Sequence, residues 1–135
     1  MRRGLTLVEI LAVVVVLGLI AGVTMIGFSG TFRRARHEVA KSHIERLVAQ
    51  VETYYLVHRA YPDAGAGLAA LAMAGAGAEY YVSEESRVDP WGRAYLYIAP
   101  GPDGRPYEIV SFGEDGQPGG TGANGDLSSA RLEAK

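Results

Sequence analysis

The sequence predicts an α+β fold: a long N-terminal helix, membrane-spanning in its first half, packed on a small antiparallel β-sheet and followed by a C-terminal loop. Three observations carry this. From Ile10 to Phe28 the chain runs about 19 residues without a charge, enough to cross a bilayer core as a helix. From Val39 to His58 apolar and aromatic residues recur at spacings of three and four, the stripe of an amphipathic helix. From Arg93 to Phe112 two alternating segments flank a turn-rich stretch, the pattern of a β-hairpin.

The chain has 135 residues, a net charge of -2 and no cysteine. Setting the apolar stretch aside leaves roughly 100 residues, one small domain. The basic residues are scattered, so there is no electrostatic footprint for nucleic acid. Without cysteine there is no disulfide framework, cysteine-ligated zinc or thiol catalysis. A small exported domain lacking disulfides calls for another staple.

Met1-Arg2-Arg3-Gly4 is a short basic leader. The apolar run after it exceeds the roughly 7 to 15 residues of an ordinary secretory signal. Arg2 and Arg3 favour a cytoplasmic N-terminus, with Arg33, Arg34 and Arg36 acting against them. Glu9 stands at the edge of the run, where a carboxylate is either solvated at headgroup depth or functional.

The stripe of the second half comprises Val39, Ile44, Leu47, Val48, Val51, Tyr54, Tyr55 and His58, and Tyr61-Pro62-Asp63 stops it. A helix from Leu5 to about Ala60 would be roughly 80 Å long. Gly18, Gly22, Gly27 and Gly30 offer points where the helix can bend or locally melt when subunits pack, and Gly18 with Gly22 forms a small-xxx-small pair. His37, His43 and His58 are not three or four apart, so no two share a metal on this helix; they read as surface or interface residues. Gly65-Ala-Gly67-Leu-Ala-Ala70 matches a dinucleotide fingerprint formally, but a helix precedes it where a strand is required. Gly67 to Ala74 is expected as a short helix covering the spine.

Asp89-Pro90-Trp91-Gly92 places proline and glycine where a type I turn prefers them. The hairpin then reads Arg93 to Ile98, the turn Pro100 to Gly104, and Tyr107 to Phe112, with Trp91 expected as a core plug. The glycine-rich stretch from Gly113 to Asp126 has two readings. One is a flexible linker, because glycine maximises the entropy that ordering must overcome. The other is a calcium loop, in which Asp115 and Asp126 supply carboxylates and the backbone its carbonyls, the hard oxygens that calcium takes. The acidic spacing of an EF-hand is absent.

Gly4-Leu5-Thr6-Leu7-Val8-Glu9-Ile10-Leu11 resembles the processing signature of type IV pilins and type II secretion pseudopilins. Tyr61-Pro62, Gly67-Leu68 and Ala70-Leu71 are similar to the pseudopilin segment after the spine. Asp-Pro-Trp-Gly, the tyrosine-rich strand, and Ser-x-Gly-x-Asp-Gly-x-x-Gly-Gly-x-Gly ending in Asp126-Leu127 resemble the major pseudopilins of type II secretion. The resemblance implies the type IV pilin-like fold. It also implies that a prepilin peptidase cuts between Gly4 and Leu5 and methylates the amine of Leu5. Leu5 stands where the family most often has phenylalanine. Glu9 would then pair with the N-terminal amine of a neighbouring subunit, since buried charges are tolerable when paired. One calcium is implied in the C-terminal loop, held by the Phe112 carbonyl, Asp115 and Asp126. Asn124 would be a fourth ligand, where many relatives carry an acidic residue.

The organisation expected is a leader over residues 1–4, a membrane and polymerisation helix over 5–30, and a periplasmic head over 31–135. The function implied is that of a structural subunit of the type II secretion pseudopilus, anchored in the inner membrane. Its implied partners are copies of itself, minor pseudopilins, the assembly platform and the peptidase. A type IV pilus subunit or a minor pseudopilin is the nearest alternative, and a membrane-anchored binding module that never polymerises a further one. Enzymatic function is not expected: all three histidines lie on the spine and no serine occupies a nucleophile elbow.

Overall fold

The computed structural model describes residues 6–73 and 79–132, with the side chains of 23–29 left aside. The first helix, α1, runs from Leu7 to His58 without interruption in the isolated chain. The expected N-terminal leader lies outside the described residues. The expected membrane span passes beyond the described side chains after Gly22. Among the described residues no helix is long and apolar enough to cross a membrane.

The chain divides into two compact units, Met1–Ala35 and Arg36–Lys135. In the first, every described residue from Thr6 to Gly22 is exposed, including Leu11, Val14, Leu17 and Ile20. The second unit has its own core. There α1 buries Ala40, Ile44, Leu47 and Val51, while Val48 and Tyr54 are half-buried. Two members of the expected stripe lie elsewhere: Val39 is 45 % exposed and His58 is exposed. Ala40, one position on from Val39, takes the buried place. Its small side chain permits close approach of the chain from Tyr95, whose hydroxyl donates to the Ala40 carbonyl at 3.4 Å.

The helix ends at His58, ahead of Pro62. Arg59 adopts a left-handed conformation (φ 56°) and its amide donates to the Tyr55 carbonyl at 2.8 Å, the αL cap that satisfies an otherwise orphaned carbonyl. Beyond Pro62, Asp63 accepts from the amides of Gly65 and Ala66. A 3-10 turn, Gly67–Ala69, leads into the short helix α2, Ala70–Met73. Leu68 and Leu71 point into the core, as the expected covering helix requires.

The sheet has three antiparallel strands in the order β1 (Leu96–Ile98), β2 (Glu108–Ser111) and β3 (Leu127–Ser128). The hairpin register sets Tyr97 opposite Ile109, and both face the core with Tyr95, Tyr107 and Leu127. The third strand is an addition to the expected hairpin: Ser111 pairs with Leu127 and Val110 with Ser128. Two residues are too few to show an alternating pattern in sequence. A last turn of helix, α3 (Ser129–Leu132), closes the head. Trp91 is half-buried and packs against the core from its margin, edge to face with His37.

Candidate functional site

Two places answer to the residues singled out in the sequence: the start of α1 and the glycine-rich loop. At the first, Gly4 and Leu5 lie outside the described residues. Glu9 lies within them. Its amide donates to the Thr6 hydroxyl at 3.3 Å, and the Thr6 amide donates to Glu9 Oε2 at 3.5 Å. This reciprocal pair is a capping box, which satisfies two donors that an N-terminus otherwise leaves open.

The second place is built on the Asp-Pro-Trp-Gly turn. The Gly92 amide donates to the Asp89 carbonyl at 2.9 Å, closing the expected β-turn. Asp89 is 6 % exposed. Its Oδ1 accepts from the amides of Trp91 and Arg93 at 3.0 and 2.9 Å, and its Oδ2 from the Ser111 hydroxyl at 2.8 Å. A carboxylate this deep is tolerable because three donors surround it. The same carboxylate, together with burial, acts on Tyr95: burial foremost and then Asp89 push its phenol well above the ordinary range.

The loop that leaves β2 is folded, contrary to the linker reading. The Glu114 amide donates to the Ala123 carbonyl at 3.1 Å, Gly116 to Phe112 at 3.2 Å, and Gly125 to Gly122 at 3.1 Å. Gly113 is buried with φ 63°, and a side chain there would meet the Gly125 carbonyl at 2.9 Å. Only glycine lets the two limbs approach so closely. The internal bonds offset the glycine entropy that made a linker plausible in sequence.

Of the four ligands implied for calcium, Phe112 uses its carbonyl in the bond from Gly116, which leaves the second lone pair. Asp115 is exposed and its Oδ1 accepts from the Gln117 amide at 3.0 Å. Asn124 is exposed, and its amide donates to Thr121 at 3.3 Å. Asp126 Oδ2 accepts from the Gly119 amide at 2.8 Å, while its Oδ1 is buried without a hydrogen bond. A buried carboxylate oxygen lacking a donor is the feature a cation would satisfy. Among the described residues no three His, Cys, Asp or Glu side chains form a metal-holding group, so a cation here would depend on backbone and amide oxygens beside the two aspartates.

The three histidines serve ring contacts: His37 with Trp91, His43 with Tyr95, and His58 stacked on Tyr54 with Nε2 2.7 Å from the Tyr80 hydroxyl. Arg93 carries no mark of function in the sequence, yet its guanidinium reaches the loop carbonyls of Gly113 and Glu114. A lone arginine on a strand pattern carries no signal of a partner 20 residues away.

The family model described as type II secretion system (T2SS), protein G matches residues 28–130. The chain is 35 % identical to the type II secretion system core protein G of Pseudomonas aeruginosa over 108 residues, 74 % of this chain and 75 % of that protein. It is 31 % identical to the core protein G of Vibrio cholerae over 139 aligned positions, 98 % of this chain and 94 % of that one. Its fold is similar to the crystal structure of the major pseudopilin from the type 2 secretion system of enterohaemorrhagic Escherichia coli. That match has a TM-score of 0.59 at 25 % identity and covers 78 % of this chain and 95 % of the other. A signature at the N-terminus, a spine with its three-stranded head, and these matches across the length of the chain agree: the chain belongs to the protein G family of the type II secretion system, the family of the major pseudopilin.

Proposed function

We propose that the chain is the major structural subunit of a type II secretion pseudopilus. The observation that supports this most is the run from Thr6 to Gly22, exposed at every residue and almost wholly apolar. A helix apolar on all sides belongs in lipid or against other helices. Before assembly the subunit rests in the inner membrane, N-terminus cytoplasmic and head periplasmic, after a prepilin peptidase has cut between Gly4 and Leu5 and methylated Leu5. An assembly platform then extracts it, and copies join with minor pseudopilins into a periplasmic filament whose growth drives folded proteins across the outer membrane.

In this reading Glu9 has two partners in succession: the backbone of Thr6 in the isolated chain, and the amine of a neighbouring Leu5 in the filament. Pairing makes the burial of both charges tolerable in the filament, and a subunit without the partner would leave a buried charge uncompensated. Calcium is the proposed staple of the cysteine-free head. The Phe112 carbonyl, Asp115, Asn124 and Asp126 would hold it, and the ion would supply a hard-cation cross-link between the two limbs of the loop.

The test is made in the parent bacterium. Mass spectrometry of the native subunit should find methylated Leu5 at its N-terminus, and a strain lacking the gene should retain exoproteins in the periplasm until the wild-type gene is restored. An intact Met1 in cells with active peptidase, or undiminished secretion in the deletion strain, would refute the proposal.

A further inference from the structure

Arg93 brings a cation of the head to the loop. It follows the Asp-Pro-Trp-Gly turn, and its backbone is fixed twice by Asp89: the Arg93 amide donates to Asp89 Oδ1 at 2.9 Å, and the Asp89 amide donates to the Arg93 carbonyl at 2.7 Å. From this anchored position the guanidinium crosses to the loop. Nη1 donates to the carbonyls of Gly113 and Glu114 at 3.0 and 3.1 Å, and Nη2 to Glu114 at 3.2 Å. Gly116 (φ 67°) lies directly against it, since a Cβ there would fall 2.5 Å from Nε and 2.6 Å from Cζ. Any side chain at Gly116 would displace the guanidinium.

We propose that Arg93 is a guanidinium clamp that positions the first limb of the glycine-rich loop and keeps it folded without metal. The fork geometry suits the task, because two N–H directions of one planar group reach two successive carbonyls. The anchor is equally specific. Asp89 binds the amide of Arg93 on one side and the Ser111 hydroxyl, one residue before Phe112, on the other, so the base of the clamp and the exit of β2 are held by one carboxylate. On the second limb lies Asp126, with its buried Oδ1. The division of labour follows: Arg93 organises residues 113–116, and a metal at Asp126 adds to a loop already in place.

The test is hydrogen exchange on the full chain in detergent micelles, with EGTA or with excess calcium. Wild type in EGTA should protect the amides of Glu114 and Gly116, which donate within the loop. Arg93→Gln in EGTA should speed exchange of both by about tenfold or more, the scale of a lost charge-assisted hydrogen bond, while the Ile109 amide of β2 stays protected. Arg93→Lys, which keeps the charge on a single head, should fall between the two. Equal protection of the loop in wild type and Arg93→Gln overturns the clamp, as does Arg93→Lys no better than Arg93→Gln. Should Arg93→Gln lose protection at Ile109 as well, Arg93→Lys decides by the same loop amides. Calcium should restore the loop in Arg93→Gln; this arm alone rests on the calcium reading, and its failure with the EGTA difference intact removes calcium and leaves the clamp.

Discussion

The hydroxyl of Ser111 donates to Oδ2 of Asp89 across 2.8 Å, with both residues buried, and so ties the last residue of β2 to the Asp-Pro-Trp-Gly turn. The pair joins two segments that the chain separates by 22 positions. Asp89→Ala would leave that hydroxyl and two turn amides without an acceptor. A loss of about 3 kcal/mol is expected, read by urea unfolding through the fluorescence of Trp91, the single tryptophan. A change under about 1 kcal/mol would show that the turn holds without its carboxylate.

The spine makes a contrasting pair of expectations. Ile44 is fully buried and Val39 is 45 % exposed. Ile44→Ala should cost about 2 to 5 kcal/mol through a core cavity, and Val39→Ala no more than about 0.5 kcal/mol. Equal effects in the same unfolding assay would contradict the buried face assigned to α1.

Alkaline stability should carry the mark of Tyr97. Burial foremost, with the nearby Tyr61, Asp63, Glu52 and Tyr54, pushes its phenol up from 10.0 to about 12, and its hydroxyl donates to the Pro62 carbonyl at 3.0 Å. The unfolded chain releases this proton near pH 10 while the folded chain keeps it. Its stabilising contribution is therefore whole below about pH 10 and is lost as pH rises toward about 12. Melting temperatures measured from pH 8 to 11 should fall along this course, and Tyr97→Phe should flatten the fall. An unchanged slope in the variant would assign the alkaline loss elsewhere.

Calcium should raise the melting temperature of the wild-type chain and EGTA should reverse the rise, because a ligand of the folded state alone stabilises it. Asp126→Ala should abolish the shift. A shift that survives in Asp126→Ala would place the ion away from the loop.

Glu9→Ala should leave membrane insertion intact and impair filament assembly, as judged by fractionation beside electron microscopy of overexpressed filaments. Loss of the capping box alone costs a fraction of a kcal/mol to about 2 kcal/mol at a helix end, too little to expel an apolar helix from a bilayer. Normal filaments would remove the assembly role and leave Glu9 as a cap.

Much of the fold was legible because the signals are local. A charge-free run, a stripe at spacings of three and four and an alternating pair of strands each depend on neighbours in sequence. The turn at Asp89 was legible for the same reason. What failed was the part decided at a distance. Val39 and Ala40 differ in hydrophobicity in the direction that favours Val39, yet the approach of Tyr95 reserves the buried place for Ala40. β3 exists because β2 offers Val110 and Ser111 an edge to pair with, and two residues show no period of their own. The helix ends at His58 because Arg59 takes a left-handed backbone conformation and caps it ahead of the proline.

A hydrophobic helix, a spine, a hairpin head and a glycine-rich end are all written in local sequence pattern, and the motifs point to the family. Tertiary structure alone decided that the glycine-rich end is folded, that the buried Asp89 ties the turn to the last residue of β2, and that Arg93 reaches the loop carbonyls. The reason is physical: helices and strands follow from side-chain periodicity, whereas a loop without periodicity takes its shape from hydrogen bonds to partners remote in sequence.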